Sequence, residues 1–124
     1  MKKTICVDFD GVIATYDGWK GFDVLGDPIT EVIKVMKQLK EEGYHIIILT
    51  TRSDTPKLRK WLKDNNVMYD SLNSNGHNPE CTSFKPMYDC IIDDRAVNFN
   101  LATNKMSRVE LIKKIKGVVR QYEK

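Results

Sequence analysis

At 124 residues, 41% of them hydrophobic and 30% charged, the chain has the balance of a globular domain with an apolar core rather than of a disordered segment. Its apolar stretches, such as Ile46-Ile47-Ile48-Leu49, are too short to cross a bilayer, and Asp8 breaks the first apolar run too early for a signal-peptide core, so no membrane partner and a cytoplasmic location are expected. The net charge of +3 is too small to imply nucleic acid by itself.

Residues 3–9 alternate into an apolar strand that stops at Asp8-Phe9-Asp10. A polar loop with Gly18, Gly21 and Gly26 follows. Asp27 then Pro28 reads as a helix start, a cap acceptor with proline at the first helical position. Ile29, Val32, Ile33, Met36 and Leu39 keep helical spacing, and Gly43 ends that helix. Tyr44 to Leu49 is apolar through most of its length, as a parallel strand covered on both faces should be. Thr50-Thr51-Arg52 follows its end.

Ser53 or Asp54 can cap a second helix carrying Leu58, Trp61 and Leu62. A short strand is expected around residues 69–72, then a polar loop over 73–84, then Lys85-Pro86. Tyr88 to Ile92 forms another apolar run ending in Asp93-Asp94. Ser107 and Glu110 make a capping box for a last helix with Leu111, Ile112, Ile115, Val118, Val119 and Tyr122 on one face. The basic excess of that segment (Lys105, Arg108, Lys113, Lys114, Lys116, Arg120 and Lys124) reads as a solvated helix face. Cys6, Cys81 and Cys90 lack the spacing of a zinc or redox motif. Cys6 and Cys90 fall in expected strands and read as buried thiols, which suits a reducing compartment.

Strands and helices that alternate in this way predict a parallel sheet with right-handed crossovers, in a single domain over residues 1–124. Such sheets bind ligands at the carboxyl ends of their strands. Asp8, Asp10, Thr50 and the pair Asp93-Asp94 all fall at such ends, with Lys85 just before the last strand. Carboxylates brought together repel unless a cation sits among them. Asp8, Asp10, Asp93 and Asp94 are oxygen ligands suited to Mg2+, which keeps several waters and takes substrate phosphate oxygens. Lys85 would supply charge, and Thr50 or Thr51 hydrogen bonds, to a phosphate group. One aspartate could attack phosphorus while a second moves protons. Arg52 is a candidate for substrate binding or for a surface ion pair.

Taken together, Val7-Asp8-Phe9-Asp10-Gly11-Val12, Thr50 after Ile46–Leu49, Lys85, and Ile91-Ile92-Asp93-Asp94 resemble the four motifs of the haloacid dehalogenase superfamily, in family order over about residues 3–100. The resemblance implies a Rossmann-like three-layer α/β/α fold. It implies Asp8 as the nucleophile that forms an aspartyl-phosphate. It implies Asp10 as the acid for the leaving group and then the base for water. Thr50 would hold a phosphate oxygen and Lys85 would orient Asp8. Asp94, with Asp93 directly or through water, would bind the metal, joined by the Asp10 carbonyl. An aspartate at position 10 points to phosphate-ester chemistry, because dehalogenase members lack an acid there and transport ATPases carry threonine. The short segments between Gly11 and Asp27 and between residues 51 and 84 leave no room for a cap domain. Small capless relatives act on large substrates or close the site by forming homo-oligomers.

The expected function is therefore a magnesium-dependent phosphatase acting on a phosphate monoester. The partner would be a phosphorylated small molecule, a nucleotide, a sugar phosphate or a nucleic-acid end. Two other classes stay open: a non-catalytic phosphate- and magnesium-binding protein, and a receiver-like phosphoacceptor module. The motif order speaks against the receiver, whose acid pair comes first. Asn73, Asn75 and His77 read as entrance residues or as a plain turn. Trp19, on the glycine-rich loop, is a better stacking candidate than Trp61.

Overall fold

The structure, a computed structural model, describes residues 3–99 and 106–122. The chain divides into two compact units, Met1–Asp93 and Asp94–Lys124. In the first unit the elements are β1 (Thr4–Asp8), α1 (Thr30–Glu41), β2 (His45–Leu49), α2 (Pro56–Asp64), β3 (Ser71–Leu72) and β4 (Cys90–Ile92). All the strand pairings are parallel, in the order β3-β2-β1-β4. This is the Rossmann-like α/β class expected, and no cap domain occurs among the described residues. No helix among them is long and apolar enough to cross a membrane.

Alternation along the strands builds the core. Ile5 and Val7 from the first strand, Phe9 just past its end, and Ile46 and Ile48 from the second share one buried cluster with Met36 of α1 and Leu58 and Leu62 of α2. The steps from β1 to β2 to β3 run in one direction across the sheet, so right-handed crossovers carry α1 and α2 to the same face. Cys6 and Ile47 are also fully buried, on the opposite face of their strands by the two-residue period. Burial pushes the Cys6 thiol up to about 11, which keeps it protonated and unreactive.

Several boundaries differ from the sequence reading. Residues 27–29 do not begin α1. They pair back on residues 13–15: Thr15 N–H donates to the Asp27 carbonyl at 2.8 Å, and Ile29 N–H to the Ile13 carbonyl at 2.8 Å. The Thr15 hydroxyl accepts from Asp27 N–H at 2.8 Å. This ladder uses the groups that a helix start would need, and α1 begins at Thr30 with no side-chain cap. Gly26 closes the ladder, since a Cβ there would meet the Thr15 carbonyl at 1.9 Å. The cap of α2 is Thr55, whose hydroxyl accepts from Leu58 N–H at 3.2 Å. Asp54 instead pairs with Arg59 at 2.7 Å. Cys90 is exposed rather than buried, because β4 is the edge strand of the sheet among the described residues.

The second unit contains α3 (Arg108–Arg120), capped by the Ser107 hydroxyl, which accepts from Glu110 N–H at 3.2 Å. Its expected apolar face is only half-buried at Leu111 and Val118, and Ile112, Ile115 and Val119 are exposed. The Tyr122 hydroxyl and the Gln121 amide donate to the Asp94 carbonyl at 2.9 and 3.1 Å. Arg95 stacks over the Tyr122 ring at 3.8 Å. Of the basic residues counted above, Lys105 and Lys124 lie outside the described residues.

Candidate functional site

Register assembles the site. Asp8, the last residue of β1, lies opposite Leu49 of β2, and Val7 lies opposite Ile92 of β4. Thr50 and Asp93, each one residue past its strand, therefore flank Asp8 at the carboxyl end of the sheet. Carboxylate oxygens of Asp8, Asp93 and Asp94 lie within 4.8 Å of one another. Asp94 joins this group through its peptide bond to Asp93. One of its oxygens accepts from the Tyr122 hydroxyl. The other, Oδ1, is buried and has no hydrogen-bond partner among the described residues.

A buried carboxylate oxygen without a donor is costly, and three acids sharing a small space repel one another. A divalent cation removes both penalties. An all-oxygen donor set suits a hard ion rather than zinc. The Asp8, Asp93 and Asp94 triad thus could bind a metal ion.

The Asp10 side chain takes a different direction. Gly11, at φ +86°, turns the chain directly after Asp10, a conformation that suits glycine. Gly11 N–H then donates to the Ala14 carbonyl at 2.7 Å, and the Phe9 carbonyl accepts from the amides of Ile13 and Ala14 at 2.9 and 3.0 Å. In this turn the Asp10 carboxylate meets Arg52, at 2.8 Å from Nε and 3.0 Å from Nη2. Arg52 is only 6% exposed. Beside it lies a cleft of about 300 Å³ lined by Thr15, Tyr16, Lys20, Val24 and Arg52, among others.

Thr50 is half-buried, and its hydroxyl accepts from Arg52 N–H at 3.1 Å. Thr51 is exposed. Asn73 caps the end of β3: its side-chain oxygen accepts from Thr50 N–H at 2.7 Å, at a backbone φ of +61°. Asparagine tolerates that conformation better than most residues. Lys85 is exposed on the loop before β4, and its ammonium pairs with no carboxylate among the described residues. Its carbonyl accepts from the Asn78 amide at 2.8 Å. The structure thus gathers Asp8, Asp93 and Asp94 with Thr50 alongside, and couples Asp10 to Arg52. It leaves Thr51 and Lys85 in solvent. The structural part of Asn73 had a weak signal in the sequence, as an asparagine directly after a short expected strand. The burial of Arg52 had none.

The fold is thus that of a small Rossmann-like α/β protein with an acidic cluster at the carboxyl end of its sheet. Comparison with known proteins finds no matching family model and no matching curated protein. Solved structures do share the fold. A conserved protein from Bacteroides thetaiotaomicron superposes with a TM-score of 0.63 at 21% identity, over 90% of this chain and 98% of that one. A chain in the Pnkp1/Rnl/Hen1 complex gives 0.55 at 24% identity, over 76% of this chain but only 39% of that one. A target protein from Vibrio cholerae gives 0.50 at 22% identity, over 98% of this chain and 99% of that one. At these identities the likeness establishes the fold.

Proposed function

We propose that this chain is a magnesium-dependent phosphatase of the haloacid dehalogenase type, acting on phosphate monoesters through an aspartyl-phosphate. The observation that carries the reading is the acid triad Asp8, Asp93 and Asp94 around a buried Asp94 Oδ1 that has no partner among the described residues, at the end of the sheet where such folds bind ligands. Magnesium, when bound, would neutralise charge on the phosphate oxygens.

In the first step an Asp8 oxygen bonds to phosphorus, the bond from phosphorus to the ester oxygen breaks, and that oxygen takes the proton of Asp10. In the second step Asp10 takes a proton from water as the water oxygen bonds to phosphorus. The acyl-phosphate bond breaks, inorganic phosphate leaves, and the Asp8 carboxylate is restored. Thr50 would hold a phosphate oxygen, and Lys85 would reach the phosphate from its loop. The substrate would be a phosphorylated small molecule, a nucleotide or a nucleic-acid end, entering a site with no cap.

Hydrolysis of an aryl phosphate with and without Mg2+ tests this reading. The wild type should turn over with Mg2+, and Asp8→Asn should lose activity by about 10³-fold or more, as removal of a nucleophile does. If wild type and Asp8→Asn are equally inert across a broad panel of phosphate esters, the reading fails.

A further inference from the structure

Among the described residues of the first unit, Arg52 is the most buried charged residue, and a buried guanidinium persists only where its donors are used. Its backbone is fixed first: Arg52 N–H donates to the Thr50 hydroxyl at 3.1 Å, and its carbonyl accepts from the Asn73 amide at 3.4 Å. From that anchor the side chain makes four hydrogen bonds. Two form the fork on Asp10, at 2.8 and 3.0 Å. The other two go to the carbonyls of Phe22 and Val24, at 3.2 and 3.1 Å. The Trp19 and Phe9 rings lie at 4.9 and 5.7 Å from the guanidinium carbon. The group is thus tied on one side to a carboxylate and on another to the path of the loop over residues 22–24.

This geometry argues against Arg52 as a phosphate ligand. Four of its donors are already committed, and a phosphate would have to displace Asp10 to use the fork. Each Asp10 oxygen, by contrast, keeps a lone pair beyond the one Arg52 occupies. We propose that Arg52 is the positioning residue for Asp10: it fixes the carboxyl in one orientation for proton transfer and couples that orientation to the loop at Phe22–Val24. The proposal rests on the phosphatase reading above. Lysine cannot reproduce a planar two-point fork, so Arg52→Lys keeps the charge and loses the positioning.

The discriminating measurement is the single-turnover rate of ester cleavage with Mg2+ on two substrates. One is a simple alkyl phosphate, whose leaving oxygen needs a proton. The other is 2,4-dinitrophenyl phosphate, whose leaving group departs without one. Arg52→Lys should lose about 10²-fold or more on the alkyl ester, the range of general acid catalysis. It should keep the dinitrophenolate burst within a few-fold, and Asp10→Asn should show the same pattern. Equal losses on both esters would overturn the proposal and leave the phosphatase reading intact. A wild type inert on both esters would overturn both.

A second measurement avoids any variant. In the wild type with Mg2+, the ¹⁵N resonance of Arg52 Nε–H should stay protected and unshifted when inorganic phosphate is added. A shift that titrates with phosphate would make Arg52 a phosphate ligand and end the proposal.

Discussion

Acidic residues stand at both ends of this sheet, and they behave in opposite ways. At the amino end, Asp89 precedes β4 and Asp70 precedes β3. The Asp89 carboxylate accepts from Thr4 N–H at 2.8 Å, and Asp89 N–H donates to the Thr4 carbonyl at 2.8 Å. Asp70 repeats the device one strand pair away: its carboxylate accepts from Ile46 N–H at 2.7 Å, and its own N–H donates to the Ile46 carbonyl at 2.8 Å. In both cases a side-chain oxygen stands in for a missing strand carbonyl and extends the ladder by one rung. At the carboxyl end, Asp8, Asp93 and Asp94 meet one another instead, and a buried Asp94 oxygen finds no donor among the described residues. Residue type and strand-boundary position are the same at both ends. What separates the two ends is that the amino-end acids complete a strand ladder, whereas the acids at the carboxyl end crowd together around an Asp94 oxygen without a donor among the described residues.

The largest effect expected from this contrast concerns metal. On the phosphatase reading, Mg2+ at about a hundred times its dissociation constant should stabilise the wild type by about 2.7 kcal/mol. Asp94→Asn should gain less, since it removes one charge of the site. With the ion chelated, Asp94→Asn should be at least as stable as the wild type, because like-charge repulsion is relieved. Urea unfolding with Mg2+ and with EDTA reads both differences. A wild type indifferent to Mg2+ would erase the distinction between the two ends.

How much of this contrast could be read from the sequence depends on what places each residue. Asp8, Thr50 and Asp93 were legible because strand ends are local events: the apolar run stops, and parallel register then brings the ends together. The start of α1 was not legible at Asp27-Pro28. A local cap signal there lost to pairing with residues 13–15, and that ladder depends on a turn begun at Gly11. Cys90 was misread as buried because an apolar run does not say whether its strand lies at an edge. Arg52 was ambiguous for a similar reason. Its burial depends on Asp10, forty-two positions earlier, and on carbonyls of a loop with no periodic pattern. Asp70 and Asp89 gave no signal at all, because a side chain that imitates a strand carbonyl leaves no spacing to detect.

The middle-sized effect is at Asp70. Burial there opposes ionisation, but the Ile46 amide, the Lys40 ammonium at 2.7 Å and His45 outweigh it, and the carboxyl is held below its ordinary value. A folded-state value below the unfolded one means that the stabilisation is present above the ordinary carboxylate range. It is lost as pH falls through that range and below it. Asp70→Ala leaves Ile46 N–H, in a fully buried residue, without its acceptor. The expected cost near neutral pH is about 1–3 kcal/mol, and the gap between wild type and variant should narrow as the pH drops below about 4. A gap that stays constant from pH 7 to pH 3 would show that the charge of Asp70 contributes nothing.

The smallest effect separates charge from shape at Asp89. Its ion pair with Lys3 spans 3.9 Å between largely exposed side chains, the kind of pair that contributes little. The hydrogen bond to Thr4 N–H is another matter, because Thr4 is buried and its amide needs an acceptor. Asparagine keeps an oxygen at that place. Asp89→Asn should therefore cost no more than about 0.5 kcal/mol, and added salt should shrink even that. Asp89→Ala removes the acceptor and should cost about 1–3 kcal/mol, as an orphaned buried amide does. If Asn proved as costly as Ala in urea unfolding, the charge rather than the oxygen would hold Thr4. The amino end would then depend on ionised acids, and a side-chain oxygen in the place of a strand carbonyl would not by itself account for its ladder.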